Sequence, residues 1–308
     1  MCRCQQLLTI RATDNIRAPK MMRGMQRLEI PIRELRMEPA PVVEYLTKRL
    51  RHYVREIAGK KGGVIGLSGG IDSTVTAYVA VRALGPENVT CMILPSSVTP
   101  REDLEDAFEV VNRLGIPEGN VKLVEVEPIV NSIVSALGIR DRVVKGNVTA
   151  RVRMVILHAE AAMRDSLVIG TSDKSELTIG YFTKYGDAGV DVMPLADLYK
   201  TQVRQLARYL GVPERIIEKP PSPRLWEDHT AESELGMSYD LLDSILYLRF
   251  DKWMDPRKVA EVLGVSFETV LKVDRMVRSS QHKRMMPEVF RVSMRAHGSD
   301  WRYPREWV

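Results

Sequence analysis

Cysteine is scarce in this chain: Cys2, Cys4 and Cys91 are the only three among 308 residues. Three cannot build a disulfide framework. Cys2 and Cys4 are too close together and too isolated for a zinc site, and Cys91 sits inside an apolar run that reads as a buried strand. No apolar run approaches the ~18 residues of a membrane span, and the N-terminus has no apolar signal core. A cytoplasmic protein is therefore expected, with no membrane partner. Positive charge is also missing where it would signal nucleic acid. The net charge is +5, but residues 1–60 alone hold 13 Lys or Arg against 6 Asp or Glu, so the rest of the chain is slightly acidic. Such a body is not a polybasic surface, and no nucleic-acid partner is expected. Two common phosphate loops are absent as well. The one Gly-Lys pair, Gly59-Lys60, is followed by Lys61, and Val54 stands where a Walker loop needs its first glycine. Gly66, Gly69 and Gly70 do not have the spacing of a dinucleotide fingerprint.

What is present is a different phosphate corner. Gly66-Leu67-Ser68-Gly69-Gly70-Ile71-Asp72-Ser73 follows the short apolar run Gly63-Val64-Ile65, and a helical pattern of Val75, Val79, Ala83 and Leu84 comes next. That order reads strand, glycine turn, helix start. Glycines let backbone N–H groups approach an anion closely. The opening helix adds unpaired N–H groups and the positive end of its dipole, and Ser68 and Ser73 can donate hydroxyls. Asp72 would repel a phosphate unless it holds a magnesium ion that bridges to it.

Strand-like runs at 63–67, 89–94, 121–126 and 166–170 alternate with helical patterns at about 100–114, ending at Gly115, and 148–164. Nearly continuous apolar strands between helices predict a doubly wound parallel sheet covered on both faces, an α/β fold. Ligands in such sheets bind at the carboxyl ends of the strands, where the glycine turn lies. After residue 171 the strand signal fades, and helical patterns recur at 199–210, 238–250, 256–263 and 266–278, as extra C-terminal helices. Residues 1–38 show no sustained periodicity and are expected to form a poorly ordered extension. Residues 39–308, opening on Pro39 and Pro41, are expected to form one catalytic domain.

Four further segments are rich in groups that suit an anionic dinucleotide and a metal. Lys145-Gly146-Asn147-Val148-Thr149-Ala150-Arg151-Val152-Arg153 opens a helix; its two arginines face different ways, so at most one reaches a site near the sheet. Gly170-Thr171-Ser172-Asp173-Lys174-Ser175-Glu176 ends the last strand, and Glu176 is either a second magnesium ligand or a first-turn helix charge. The glycine-punctuated loop 180–191 carries Tyr181, Phe182, Lys184, Tyr185 and Asp191. His282-Lys283-Arg284 is a short basic run that alone would read as solvated surface.

Ser-Gly-Gly-Ile-Asp-Ser resembles the pyrophosphate loop of the N-type ATP pyrophosphatases. Taken with Gly-Asn-Val-Thr-Ala-Arg-Val-Arg, Gly-Thr with Glu five residues on, Phe-Thr-Lys-Tyr-Gly-Asp and His-Lys-Arg, in that order, the chain resembles the NAD synthetases from about residue 40 to 290. The resemblance implies an adenine nucleotide alpha hydrolase-like fold and a ligase that adenylates the carboxylate of deamido-NAD with ATP, after which ammonia displaces AMP to give NAD. It implies that Gly66, Leu67, Ser68, Gly69, Gly70, Ile71, Asp72 and Ser73, with Thr171, Lys200 and Ser222, bind ATP, and that Asp72 and Glu176 bind Mg2+. By the same resemblance Arg151, Lys184, Asp191, His282 and Lys283 bind deamido-NAD, and Asp173 is the candidate to take a proton from ammonia. A homodimer is implied, with the dinucleotide site near its interface. The 40 or so residues before the resemblance leave no room for the amidase domain of glutamine-dependent members, so free ammonia is the expected donor. Ala188 stands where many members have Gly, Ile93 where bacterial members often have Arg, and Ser222 where Thr is common. Two other readings compete. One is a different N-type ATP pyrophosphatase acting on another carboxylate or carbonyl. The other is a helix-turn-helix regulator at 256–278, which Glu268 and Asp274 on the candidate recognition helix argue against.

Overall fold

The computed structural model describes residues 32–222, 224, 226 and 230–294. The four apolar runs become the strands β1 (Gly62–Gly66), β2 (Val89–Ile93), β3 (Val121–Leu123) and β4 (Ser166–Val168). They pair in parallel in the order β3-β2-β1-β4, with Val64 opposite Thr90 on one side and Val168 on the other. Each strand lies within a few residues of its expected place, although β3 ends at Leu123; beyond it the Val124 and Val126 N–H groups still donate to the Ile93 and Pro95 carbonyls.

Period-two alternation divides the strand residues between two cores. Ile65, Cys91, Ile93, Leu167 and Ile169 face one of them. The helices on that side are α1 (Pro39–His52), α2 (Ile71–Leu84), α3 (Arg101–Leu114), α7 (Lys200–Leu210) and the short α8 (Glu214–Glu218). Val64, Met92 and Val168 face the other core, under α4 (Glu127–Leu137) and α5 (Arg142–Met163). Burial on both faces explains why the strands read as apolar runs rather than as alternation with polar residues. Gly63 is fixed by packing: a Cβ there would lie 2.2 Å from Ile169 Cδ1 of the neighbouring strand.

The helix α4 was not foreseen from sequence, and α5 begins six residues before the pattern that pointed to it. Asp141 caps α5, accepting from the Val143 and Val144 N–H groups. Lys145 and Gly146 therefore lie inside the helix rather than at its opening. Gly115 ends α3 in the left-handed conformation, where the sequence placed the stop.

A third core lies beyond the sheet. It joins α6 (Lys174–Ile179) with α9 (Ala231–Leu235), α10 (Tyr239–Leu246), α11 (Pro256–Leu263) and α12 (Phe267–Ser279). Residues 32–38, expected in the extension, are held to this layer. Leu35 is buried in it, the Ile32 N–H donates to Ser244 Oγ, and Gln205 bonds both the Met37 N–H and the Leu35 carbonyl. The body thus starts several residues before Pro39; residues 1–31 and 295–308 lie outside the described part. The α11–α12 pair, joined at Gly264, is scaffold: Val270 and Val273 are buried, and Asp274 is ion-paired with Arg249.

The chain runs outward from β1 to β2 and β3, then returns to place β4 on the other side of β1. That reversal opens a crevice between the carboxyl ends of β1 and β4. The glycine turn and residues 169–173 both lie there.

Candidate active site

The turn after β1 is shaped by close approach. Gly69 has φ +76°, and a Cβ on it would lie 2.1 Å from the Asp103 carbonyl oxygen. Any side chain there would need both a disfavoured backbone and room that does not exist. The two serines knit the loop together. The Ser73 hydroxyl donates to the Gly70 carbonyl at 3.1 Å and accepts from the Ser68 N–H at 3.2 Å, while the two hydroxyls lie 3.0 Å apart. Helix α2 opens at Ile71 with no side chain capping it, so its first N–H groups remain available to an anion.

Beside the turn, three helix starts converge. Asp72 on α2, Glu176 on α6 and Asp173, the residue capping α6, bring carboxylate oxygens within 4.8 Å of one another. Lys200, the first residue of α7, points its ammonium into this group. Its Nζ lies 2.5 Å from Asp72 Oδ2, 2.8 Å from Glu176 Oε1 and 3.0 Å from Asp173 Oδ2. Lys200 has no exposed surface. Burial alone would lower its pKa, but Asp173, Asp72 and Glu176 together hold it well above the ordinary lysine value, so it stays charged. Burial pushes Glu176 up to about 8, with Lys200 opposing and Asp173 and Asp72 adding to the rise. Burial raises Asp173 as well, again against Lys200. One cation thus faces three carboxyl groups, and the buried Asp72 Oδ1 accepts no hydrogen bond among the described residues. A group of hard oxygen donors, one of them without a partner, suits a magnesium ion, whose charge would favour the ionised carboxylates.

The crevice widens into a cavity of about 540 Å³. Its phosphate end is the glycine turn with Asp72 and Glu176. Its opposite wall is apolar, from Met92, Ile93, Leu94, Leu157 and Val190. Three basic residues on the wall were not singled out from sequence as site residues. Arg153 donates from Nε to the Leu94 carbonyl at 3.0 Å, and its Nη atoms make no hydrogen bond among the described residues. Burial lowers its pKa, with Asp187 opposing. Lys219 donates to Asp103 Oδ1 at 2.9 Å and to the Gly69 carbonyl at 3.3 Å, and also pairs with Asp106. Arg224 donates from Nε to Asp103 Oδ2 at 2.9 Å, and its N–H donates to Ser222 Oγ at 3.1 Å. Asp103 and Asp106 are both buried. The stretch around Ser222 is thereby tied to α3 and to the glycine turn. The sequence marks it only as a Pro220-Pro221 loop, because its partners lie more than a hundred residues away.

A family model described as NAD synthase matches residues 42–287. The chain belongs to the NAD synthase family. It is 51% identical over 276 residues to the NH(3)-dependent NAD(+) synthetase of Saccharolobus solfataricus, covering 90% of this chain and 98% of that one. It is 50% identical over 275 residues to the same enzyme of Sulfurisphaera tokodaii, covering 89% and 97%. Among solved structures, the NMN synthetase of Francisella tularensis superposes with a TM-score of 0.72 at 34% identity, covering 82% of this chain and 99% of that one. The NH3-dependent NAD synthetase of Campylobacter jejuni gives 0.71 at 29% identity, covering 83% and 100%. These neighbours carry the adenine nucleotide alpha hydrolase-like fold expected from the sequence.

The residues expected at the site divide into two groups. Gly66, Leu67, Ser68, Gly70, Ile71, Asp72, Ser73, Thr171, Glu176 and Ser222 line the cavity. Gly69 lies just behind them, with Lys200 and Asp173 buried beneath. Asp173 was expected to meet ammonia; it is fully buried, accepts the Glu176 N–H at 2.8 Å, faces Lys200 and does not line the cavity. Of the residues expected to hold deamido-NAD, Lys283 alone reaches the wall, donating to the Gly180 and Phe182 carbonyls at 2.7 and 2.8 Å. Arg151, Lys184, Asp191 and His282 lie outside it. Arg151 donates to the Lys184 carbonyl at 3.3 and 3.2 Å. Lys184 Nζ lies 5.2 Å from the Tyr185 ring centre. The Asp191 carboxylate accepts the Val168 N–H at 2.7 Å, beside the backbone bridge between Ile169 and Val192. Of the two arginines on α5, Arg153 rather than Arg151 enters the cavity.

Proposed function

We propose that this chain makes NAD from deamido-NAD, ATP and ammonia, releasing AMP and pyrophosphate, the final step of NAD biosynthesis. The observation that carries this reading is the uncapped α2 start and glycine turn set against the Asp72–Asp173–Glu176–Lys200 cluster at the switch point of the sheet. Attack of a carboxylate on the α-phosphate brings two anions together and leaves a third, so the site must supply fixed positive potential. The N–H groups at 66–73 and the α2 dipole supply it to the departing pyrophosphate. Asp72 and Glu176 would hold magnesium, which when bound neutralises phosphate charge and orients the leaving group. Lys200 stays protonated and keeps these carboxylates in place, and Asp173 serves it as a buried counter-ion. Thr171 and Ser222 offer hydroxyls from opposite walls. The basic groups outside the cavity, Arg151, Lys184 and His282, with the carboxylate of Asp191, form the dinucleotide side.

Solution as a homodimer in the cytoplasm completes the proposal. Val144, Arg151 and Val155 recur at steps of seven and four, so they share one exposed face of α5. A second copy seated on that face would cover the two valines and enclose Arg151. No helix among the described residues is long and apolar enough to cross a membrane.

The deciding experiment incubates the purified protein with ATP, magnesium and ammonium, together with either deamido-NAD or its mononucleotide counterpart. NAD and AMP in equal amounts from the dinucleotide support the reading. Release of ADP would exclude adenylation. Preference for the mononucleotide would move this chain toward the NMN synthetase that shares its fold.

A further inference from the structure

Asp243 lies in α10, a helix that lends no residue to the cavity wall, and has no exposed surface. Its Oδ1 accepts from the Ser175 hydroxyl at 2.6 Å, and its Oδ2 accepts from the Thr201 N–H at 2.9 Å. Ser175 Oγ in turn accepts from the Lys200 N–H at 2.9 Å. Ser175 is buried and stands immediately before Glu176; Thr201 stands immediately after Lys200. One carboxylate thus grips the first turns of two helices, α6 and α7, beside the two side chains that meet at 2.8 Å in the acidic cluster.

First-turn N–H groups have no partner within their own helix, and leaving one buried and unpaired is costly. A local cap would solve that for one helix at a time, as Asp173 does for α6. Asp243 is not local to either helix: it is 68 residues from Ser175 and 42 from Thr201. Its three-way connection with Ser175 and the α7 N–H groups sets the distance between the two helix starts, and so between Glu176 and Lys200. Burying a carboxylate costs more than burying an apolar side chain of the same size, unless the bonds it makes are needed.

We propose that Asp243 is a positioning residue for the ATP half of the site, acting through Ser175 and Thr201 to hold Glu176 against Lys200. This rests on the reading above, in which the cluster handles ATP and magnesium. It also gives the C-terminal helical layer a part in the reaction through a helix that lends no residue to the cavity wall.

The test compares Asp243→Ala, Asp243→Asn and Ser175→Ala with the unaltered chain, using steady-state NAD formation and calorimetric binding of ATP with magnesium. Asp243→Ala should lower kcat and weaken ATP binding by about tenfold or more, since a displacement of about 1 Å can cost up to ~100-fold. Binding of deamido-NAD should hardly change. Asp243→Asn can still accept from Thr201 and donate to Ser175, and should recover most of the loss. Ser175→Ala should move the same two quantities in the same direction, and it decides the matter if Asp243→Ala does not fold. Wild-type kcat and ATP affinity in a folded variant would overturn the proposal. So would equal losses for both substrates, or a loss confined to melting temperature. If the unaltered chain makes no NAD, the functional reading fails, while the ATP titrations still decide the role of Asp243.

Discussion

Asp72, Glu176 and Lys200 come from three different helices, yet their charged atoms meet within hydrogen-bond distance in a mostly buried cluster. Arg151, Lys184, Asp191 and His282 were expected to act together too, but none of them lines the cavity. The proposed ATP side is preorganised: its charges are held by helix starts and by a turn that tolerates no side chain at Gly69. The proposed dinucleotide side is a looser set: Arg151 rests on the Lys184 carbonyl, Lys184 lies beside the Tyr185 ring and Asp191 accepts the Val168 N–H. A site built the first way loses function abruptly when one member changes, because each buried charge is left exposed to a low dielectric. A site built the second way loses affinity in smaller steps.

Four variants sharpen or break that contrast. The largest effect is expected for Lys200→Met, which removes the one cation facing three carboxylates. Breaking such a buried arrangement should cost about 3–5 kcal/mol of stability, read from urea unfolding. Unfolding at the wild-type midpoint would mean that the cluster is neutral, not ionic. Next comes Asp72→Asn, which keeps shape and leaves Lys200 two carboxylates. Turnover should fall at least about a hundredfold while the protein stays folded; near-normal turnover at ordinary magnesium would remove Asp72 as a ligand.

Lys184→Ala tests the other side. Loss of one charge-assisted hydrogen bond should weaken deamido-NAD by roughly 1.5–3 kcal/mol in a calorimetric titration and leave ATP nearly unchanged. The opposite pattern would reverse the assignment of the two halves. The smallest effect concerns pH. Burial pushes Asp243 up to about 7, with Ser175 and the Thr201 N–H opposing. Between the unfolded value and that one, the folded chain keeps a proton that the unfolded chain releases, so stability contributed here falls as pH rises through the window and levels off above it. Melting curves of Asp243→Asn from acid to neutral pH should decline less steeply than those of the unaltered chain. Parallel curves would show that Asp243 is ionised throughout.

Much of this was legible before any coordinates. Apolar runs with β–α alternation specify a parallel sheet because strands buried on both faces need little else. The glycine turn announces itself because Gly69, Asp72 and the serines are neighbours in sequence, and local geometry is written locally. Helix α4 escaped notice, as did the early start of α5 at the Asp141 cap, because tertiary packing extends helices past the point where their periodicity is clear.

What sequence by itself determined is therefore the local structure: a glycine turn that opens a helix, an aspartate in its first turn, and a parallel sheet with that turn at the carboxyl end of a strand. What only the tertiary structure decided is which distant groups meet. Lys200 lies 128 residues from Asp72, Lys219 lies 150 from Gly69, and Arg153 rather than Arg151 enters the cavity. Side chains two apart on a helix point in different directions, and nothing in their spacing says which direction faces the sheet. That choice belongs to packing: the rotation of α5 that buries Val152 and Ala161 against the core carries Arg153 to the cavity and leaves Arg151 outside.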